Sequence, residues 1–292
     1  MTTDWSIWML EYARRPEQPV GLVLYGYWNA GTVAVPFSYV YLESPDLRVL
    51  VDVGYDDRSY GGDLARGDGV VEWQDARAVL GAVGRTPEDI EAVLITHAHF
   101  DHIGNLGAFP NAHVYLQERE VREWEQVLES GARFSRLTGA LDPADLLHLA
   151  ALKQEGRLTL LAGSVDDVLP GISVRTAFDT HTGGSQYVVV QTERGPWVVA
   201  GDNIFSYRNV EGDGDGSYIP IGFSAGSQTQ NLRSMHEMAD IADGTSRLVI
   251  VHEGETFSRF PSGTGAGGLR IAELHLAAGR PSLLTESAPE GT

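Results

Sequence analysis

Cysteine does not occur anywhere in the 292-residue sequence. Its absence excludes disulfide bonds, zinc sites built on thiolates, iron–sulfur clusters and catalytic cysteines. If the protein binds a metal, histidine, aspartate and glutamate are the side chains left to hold it. A chain without cysteine is also compatible with the cytoplasm.

Positive charge is scarce, since 21 lysine and arginine residues stand against 40 acidic residues and give a formal net charge of −19. Nucleic-acid binding needs clustered basic residues, so this balance argues against a nucleic-acid partner. The same acidic field disfavours strongly anionic substrates unless a metal reverses it locally.

Long apolar runs are missing as well. No stretch approaches the roughly 20 apolar residues that span a bilayer. The N-terminus has no basic start before an apolar segment, so it does not resemble a secretory signal. Hydrophobic residues at 42% and charged residues at 21% are ordinary for a globular enzyme. We therefore expect a cytoplasmic protein without a membrane partner.

Short β-branched and apolar runs, flanked by glycine, proline, aspartate and asparagine, recur along the chain and predict many short strands. These runs are 20–27, 35–42, 48–53, 92–96, 113–117, 157–161, 172–177, 187–191, 197–200 and 248–251. Helical patterns lie at 72–83, 117–128, 142–154 and 230–242, and a further helix-like stretch contains His275. This order favours two sheets packed face to face with helices outside.

No internal repeat or linker divides the sequence, so we predict a single domain over residues 1–292. Residues 118–156 are the richest in helical pattern and are interpreted as a helical insertion. This insertion could be a lid, a substrate wall, a dimer contact or a plain surface feature. The tail 280–292 is predicted to fray, as chain ends often do.

The most informative segment is the run His-x-His-x-Asp-His at 97–102, which brings three imidazoles and a carboxylate together. Imidazole is the commonest side-chain ligand for zinc and iron, and carboxylate is a natural companion for either. The run follows the apolar stretch 92–95, as expected for a metal-binding loop at the end of a strand. A chance cluster fits poorly, because the whole chain has 9 histidines.

Three further candidate ligands stand at the ends of other predicted strands, and they are His181, Asp202 and His252. Loops at strand ends, carried on a rigid sheet, are the usual place for a binding site. Each of these residues alone would more often be structural. Together with the first motif, they predict one metal centre.

This order of motifs, with a distant histidine, an aspartate further on and a last histidine after a strand, resembles the metallo-β-lactamase superfamily over roughly residues 20–260. The resemblance implies an α+β fold, the αββα sandwich, with a dinuclear metal site at one edge. It implies that Asp202 bridges two metals. The ligands of the first metal would be His97, His99 and His181, and those of the second Asp101, His102 and His252.

Two divalent metal ions are the implied cofactors, with zinc expected first, and iron, manganese or cobalt also accepted by such ligands. In this superfamily a water or hydroxide bridges the metals, and a metal pair about 3.5–4 Å apart lowers its pKa and polarises a carbonyl. The Asp-x-Gly at 52–54 resembles the strand-end motif whose aspartate, here Asp52, orients the ligand imidazoles from behind. A simple turn before Gly54 is the alternative.

Within the superfamily, the segment 181–186 looks most like the N-acyl homoserine lactonase group, in which water opens a lactone ring. Two positions depart from that group. Gly183 stands where relatives commonly have proline. Phe205 stands where those lactonases have a tyrosine aimed at the substrate carbonyl, and a phenyl ring cannot donate a hydrogen bond. Tyr207 or Tyr218 could replace it, or both could be packing aromatics.

We therefore predict a dinuclear, lactonase-like metal-dependent hydrolase in which a metal-bound hydroxide attacks the carbonyl of a lactone or similar cyclic ester. Asp101 and Tyr207 are the candidate catalytic residues, and Phe205 and Tyr218 are the candidate pocket residues. Two alternatives stay open: a hydrolase or lyase acting on an aromatic or polyketide-like carbonyl, and an iron-dependent oxidoreductase resembling persulfide dioxygenases. A small molecule is the expected substrate. Its identity, the native metal and the choice between monomer and homodimer are open.

Overall fold

Two β-sheets with helices on their outer faces make up residues 4–284, the part of the chain that this computed structural model describes. The strands are β1 (Ser6–Pro19), β2 (Thr32–Glu43), β3 (Arg48–Val51), β4 (Ala92–Leu94), β5 (His113–Gln117), β6 (Leu158–Leu161), β7 (Val165–Leu169), β8 (Ile172–Thr176), β9 (Gln186–Val190), β10 (Trp197–Val199), β11 (Leu248–Val249), β12 (Ser262–Thr264) and β13 (Arg270–His275). The α-helices are α1 (Val20–Val23), α2 (Tyr60–Gly67), α3 (Ala76–Gly81), α4 (Phe100–Ile103), α5 (Glu118–Glu129), α6 (Pro143–Gln154), α7 (Tyr207–Glu211), α8 (Gln228–Ala242) and α9 (Thr256–Arg259). Short 3-10 turns lie at Pro87–Asp89, Leu106–Ala108, Ala132–Thr138, Gly201–Asn203 and Ala266–Gly268.

The larger sheet has eight strands, in the order β12-β13-β1-β2-β3-β4-β5-β6. Strand β1 is antiparallel to both β13 and β2, whereas β3 to β6 run parallel to one another. The smaller sheet has five strands, in the order β11-β10-β9-β8-β7, and only its β10 and β11 are parallel. Since parallel strands end at the same edge of a sheet, the loops after them can meet there.

The alternation of side chains along β1 divides them between two cores. Ile7 and Met9 are buried between the two sheets, while Trp8 and Leu10 are buried on the opposite face, beneath the helices. Successive residues of a strand point to opposite faces, so a strand covered on both sides is apolar throughout. The larger sheet is therefore a middle layer of the molecule.

The smaller sheet is covered on both faces in the same way. Val188 and Val190 of β9 join the core between the sheets, whereas Val189 packs with Met235 and Met238 of α8 on the outer face. The order of layers is helix, sheet, sheet, helix. The predicted αββα sandwich of the α+β class is confirmed.

Two sequence predictions of secondary structure were wrong. The run 20–27 was predicted as a strand, but it begins with the short helix α1. The stretch around His275 was predicted as helical, but it is strand β13, which pairs with β1 and β12. In the second case, pairing with two neighbouring strands makes the stretch a strand. Apolar and polar residues need not alternate along a strand that is covered on both faces, so the pattern did not indicate it. For the same reason, the long strand β1 was not predicted.

The predicted helical insertion at 118–156 contains α5, the 3-10 turn Ala132–Thr138 and α6. Of the tail 280–292, which was predicted to fray, residues 285–292 lie outside the described residues. Arg280 in its first part donates hydrogen bonds of 3.1 and 2.7 Å to Glu43. Among residues 4–284, the helices are all too short or too polar to cross a bilayer.

Candidate metal centre

Loops at the ends of strands from both sheets bring the candidate ligands together. The run 97–102 follows β4 and leads into α4, and His181 lies in the turn between β8 and β9. Asp202 lies in the 3-10 turn directly after β10, and His252 follows β11. The two sheets therefore contribute ligands to one site, as a rigid scaffold can do when its loops meet at an edge.

The first group of ligand atoms consists of His97, His99, His181 and one oxygen of Asp202. Nδ1 of His99 lies 3.0 Å from Nε2 of His97 and 3.0 Å from Nε2 of His181. Oδ2 of Asp202 lies 3.4 Å from Nε2 of His181 and 4.0 Å from Nε2 of His97. All four side chains are buried, and their ligand atoms lie within 4.8 Å of one another.

The second group consists of Asp101, His102 and His252, whose ligand atoms also lie within 4.8 Å of one another. Oδ2 of Asp101 lies 3.6 Å from Nε2 of His102 and 3.5 Å from Nε2 of His252. Oδ1 of Asp202 lies 3.2 Å from each of these two nitrogens. The two oxygens of Asp202 thus face different groups of histidines.

The chemistry of this donor set fits divalent cations. Nε2 of His102 and Oδ1 of Asp202 are buried and have no hydrogen-bond partner among residues 4–284, which is costly unless a ligand satisfies them. Burial lowers the pKa of His97 and His99 well below the usual range and the pKa of His181 to about 4. These imidazoles are therefore neutral at physiological pH, as metal ligands must be.

Two ligand imidazoles are held from behind by main-chain carbonyl groups. Nδ1 of His181 donates to the carbonyl oxygen of Phe223 at 2.8 Å, and Nδ1 of His252 donates to that of Pro36 at 2.9 Å. Because a carbonyl can only accept, the proton of each ring lies on Nδ1 and the lone pair of Nε2 faces the site. Such partners orient a ligand and raise its basicity.

Asp52 orients two further imidazoles through hydrogen bonds to Nδ1, His102 directly and His97 through the Thr96 hydroxyl. Its carboxylate accepts from the main chain of Thr96 at 2.8 Å, from the Thr96 hydroxyl at 2.9 Å and from Nδ1 of His102 at 2.8 Å. Since the Thr96 hydroxyl donates to Asp52, it can accept from Nδ1 of His97, 3.1 Å away. Asp52 has a φ of 64°, in the left-handed region that aspartate adopts more readily than most other side chains. The structure places Asp52 where the sequence predicted it.

Two glycines allow the ligand loops to approach closely. Gly201, next to Asp202, has a φ of 55°, and a Cβ atom there would lie 2.8 Å from Cβ of Thr96. At Gly183, a Cβ atom would overlap the carboxylate of Glu123, which is the flexible end of a partly exposed side chain. The contact at Gly201 is the more restrictive of the two, because Thr96 is fully buried.

Glu120, which the sequence analysis did not single out, joins the two loops that carry the first group of ligands. Its carboxylate accepts hydrogen bonds from Ala98 N at 2.9 Å, Trp124 Nε1 at 2.8 Å, Thr182 Oγ1 at 2.7 Å and Gly184 N at 2.9 Å. The side chain is fully buried, and burial raises its pKa. The signal in the sequence is a glutamate one turn before Trp124, on the apolar face of a helix.

A cavity of about 420 Å³ opens over the ligands. Phe205 forms part of its wall and lies between the two groups, stacked on His252 at 5.5 Å between ring centroids and edge-on to His181 at 5.6 Å. The other aromatic side chains in the wall are Phe37, Phe100, Trp124 and Phe223. Phe37 and Phe223 come from separate elements and carry no motif, so the sequence alone could not identify them.

The two tyrosines proposed to replace the one expected at Phe205 do not reach the cavity. Tyr207 is fully buried, its hydroxyl lies 3.0 Å from Thr256 Oγ1, and the guanidinium of Arg259 lies 3.7 Å from its ring centre. The Tyr218 hydroxyl lies 3.1 Å from Nδ1 of His236. The expectation of a catalytic Tyr207 and of Tyr218 in the pocket is corrected, because no tyrosine lines the cavity within residues 4–284.

Comparison with known proteins agrees with this architecture. The family model of the metallo-β-lactamase superfamily matches residues 32–239. An N-acyl homoserine lactonase from a Bacillus species is 25% identical over 208 residues, which cover 68% of this chain and 74% of that protein.

Two solved structures share the fold. An N-acyl homoserine lactone hydrolase, with the product N-hexanoyl-L-homoserine at its catalytic metal centre, matches with a TM-score of 0.63 and 18% identity over 89% of this chain and 97% of that chain. A hydrolase of the β-lactamase superfamily matches with a TM-score of 0.65 and 19% identity over 94% and 96%. The predicted resemblance to the lactonase group and the predicted hydrolase class are confirmed. The chain belongs to the metallo-β-lactamase superfamily.

Proposed function

We propose that this protein is a dinuclear metal-dependent hydrolase that opens a lactone or a similar cyclic ester. The observation that carries the proposal is the position of Asp202. Its Oδ2 faces His97 and His181, and its Oδ1 faces His102 and His252. A carboxylate with one oxygen toward each of two ligand groups is suited to bridge two ions. The similarity to N-acyl homoserine lactonases supports the ester as substrate.

Seven side chains would hold the two ions, and zinc is the metal we expect, with iron, manganese and cobalt compatible with the same donors. When bound, the ions would activate water at neutral pH and polarise the carbonyl. The assignment keeps the predicted division. One ion would have His97, His99 and His181, the other would have Asp101, His102 and His252, and Asp202 would serve both.

The protein's own residues would position the substrate and transfer one proton. In the reaction, water adds to the carbonyl carbon, the ring C–O bond breaks, and the leaving oxygen takes up a proton. Asp101 lines the cavity, and we assign the transfer of this proton to its carboxyl group. The aromatic wall at Phe205 excludes water around the substrate and fixes its orientation by apolar contact.

A second candidate substrate is an aromatic or polyketide-like ester. The observation that favours it is the aromatic wall, in which Phe205 replaces a hydrogen-bond donor with a flat apolar surface. Stacked and edge-on aromatic contacts would hold a flat ring well. The iron-dependent oxidoreductase gains no support, because it requires Asp101 and His102 without metal, and both lie against His252 in a complete ligand group. Cytoplasmic location and a homodimer stay predictions.

The test is hydrolysis by the zinc-loaded protein of a panel of N-acyl homoserine lactones, aromatic lactones, thioesters and amides. Asp202→Asn should lower kcat/KM by at least about 100-fold, since removing even a hydrogen-bond partner of a metal ligand lowers metal affinity or activity by about 10–100-fold. Asp240→Asn on α8, whose side chain is 71% exposed, is the matched control and should not change kcat/KM. Failure to open any ester, or full activity of Asp202→Asn, would contradict the proposal.

A further inference from the structure

Two arginines line the cavity without a hydrogen-bonded carboxylate. Arg15 comes from β1, and Arg136 comes from the 3-10 turn Ala132–Thr138. Nε of Arg15 is buried and donates no hydrogen bond, and its Nη1 lies 4.0 Å from Oδ2 of Asp68, beyond hydrogen-bond distance. Arg136 has no carboxylate oxygen within 4.0 Å among residues 4–284.

Arg15 differs from most other arginines of the protein. In a chain where acidic residues outnumber basic ones, a guanidinium readily finds a partner, as Arg270 does with Glu11 at 2.8 Å and Arg259 with Glu211 at 2.8 Å. Arg133 and Arg136 of the 3-10 turn also lack a carboxylate partner in the described part of the chain, but both are exposed, and of these two Arg136 lines the cavity. The side chain of Arg15 is only 19% exposed. A buried guanidinium nitrogen whose nearest carboxylate lies beyond hydrogen-bond distance is costly unless something else binds it.

Arg15 belongs to the same pair of strands that positions a ligand of the metal centre. It lies opposite Val35 of β2, and Val35 also lines the cavity. The next residue of β2, Pro36, accepts the hydrogen bond from His252. One small molecule in the cavity could therefore meet the metal ligands and the guanidinium of Arg15 together.

We propose that the substrate carries a carboxylate in addition to its ester carbonyl, and that Arg15, together with Arg136, binds this carboxylate. A guanidinium presents two parallel N–H donors that match the two oxygens of a carboxylate. The aromatic wall takes the apolar body of the substrate. The overall charge of −19 disfavours anions and Asp68 also lines the cavity, so the two guanidinium groups are the local positive charge that an anionic substrate would need. This inference rests on the proposed hydrolase function and narrows its substrate class.

The experiment compares two cyclic esters that share one skeleton, one with a carboxylate and one with a primary carboxamide at the same position. We expect the zinc-loaded protein to have a KM about 10–100-fold lower for the carboxylate, as a charge-assisted hydrogen bond would give. Arg15→Gln should raise the KM for the carboxylate at least about 10-fold more than the KM for the carboxamide. Arg136→Gln should act in the same direction.

Arg133→Gln is the matched control, because it removes a positive charge from the same 3-10 turn outside the cavity, and it should change neither KM. Equal KM values for the two esters, or equal effects of Arg15→Gln on both, would overturn the proposal. Calorimetry with cyclic-ether analogues that cannot be hydrolysed measures the preference for a carboxylate without any turnover. It therefore separates a failure of the carboxylate site from a failure of the proposed hydrolase function. A preference for the carboxylate analogue without turnover would contradict the hydrolase alone, and equal binding of both analogues would overturn the carboxylate site.

Discussion

Glutamine in place of Glu120 should destabilise the fold and weaken metal binding together. Each oxygen of the Glu120 carboxylate accepts two hydrogen bonds, from Ala98 and Trp124 on one side and from Thr182 and Gly184 on the other. A glutamine side chain has one oxygen and one NH2 group, so it can accept only two of these four bonds. If the NH2 group faces Thr182 and Gly184, it can donate to the Thr182 hydroxyl, which then donates to Ser185 Oγ, 2.7 Å away, so the N–H group of Gly184 alone would stay buried and face an NH2 group.

The magnitude follows from the lost acceptor of Gly184. A buried donor without a partner costs about 1–3 kcal/mol. Removing a buried negative charge offsets part of it, because the carboxylate was itself taken out of water. We expect Glu120→Gln to lower the free energy of unfolding by about 1–2 kcal/mol.

Urea denaturation of the metal-free protein measures the stability, and competition with a chromophoric chelator measures zinc affinity. Because Ala98 lies between His97 and His99, and Thr182 follows His181, zinc affinity should fall as well. The control is Glu123→Gln on the same helix, where the side chain is 36% exposed and the cost should stay below about 1 kcal/mol. Unchanged unfolding and unchanged zinc affinity in Glu120→Gln would refute the role of Glu120 as the tie between the loops.

Three further predictions concern single residues. Asp52→Asn should lower zinc affinity by about 10–100-fold in chelator competition, and an unchanged affinity would show that Asp52 does not orient the ligands. Phe205→Tyr should raise kcat on lactones, up to about 10-fold, by adding a donor toward the substrate carbonyl; a kcat at or below that of the parent protein would contradict it. Asp145 has a pKa raised to about 7 by burial and by Asp142. Since its folded pKa lies above the unfolded value, the native state loses stability as pH rises from about 4 to 7. Asp145→Asn should therefore gain stability relative to the parent protein by up to about 4 kcal/mol between pH 4 and pH 8 in urea denaturation, and parallel pH profiles would contradict this.

The candidate metal ligands were readable from the sequence because their chemistry and their position coincide. Imidazoles and carboxylates directly after apolar strands have few structural uses in such number, and the structure brings all seven candidates together. Asp52 was also readable, because its strand-end position before Gly54 is a recognisable pattern. The ligand set depends on local features of the chain, which explains why sequence reasoning could find it.

The surroundings of the substrate were not readable, because they depend on how separate elements meet. Tyr207 follows Ser206, whose side chain caps helix α7, and Asn209 completes the capping box. Tyr207 is the first residue of this helix, and its hydroxyl lies beside Thr256, away from the cavity. This contact joins residues 49 positions apart, and no local pattern in the sequence indicates it.

The cavity wall shows the same limit. Arg15 faces the cavity only because β1 pairs with β2 across a long antiparallel register. That register includes irregularities near Arg15, which alter the alternation of faces and hide the strand from pattern analysis. No pattern in the sequence around Arg15 therefore indicates that this arginine lines the cavity over the candidate ligands.

Metal content per chain tests the central claim most directly. After zinc loading and removal of excess metal, mass spectrometry of the digested protein should find about two zinc ions per chain, as a bridging Asp202 between two ligand groups requires. The control Asp240→Asn should retain the same content, whereas Asp202→Asn should hold fewer ions. A content of one ion or none in the parent protein would contradict the dinuclear centre.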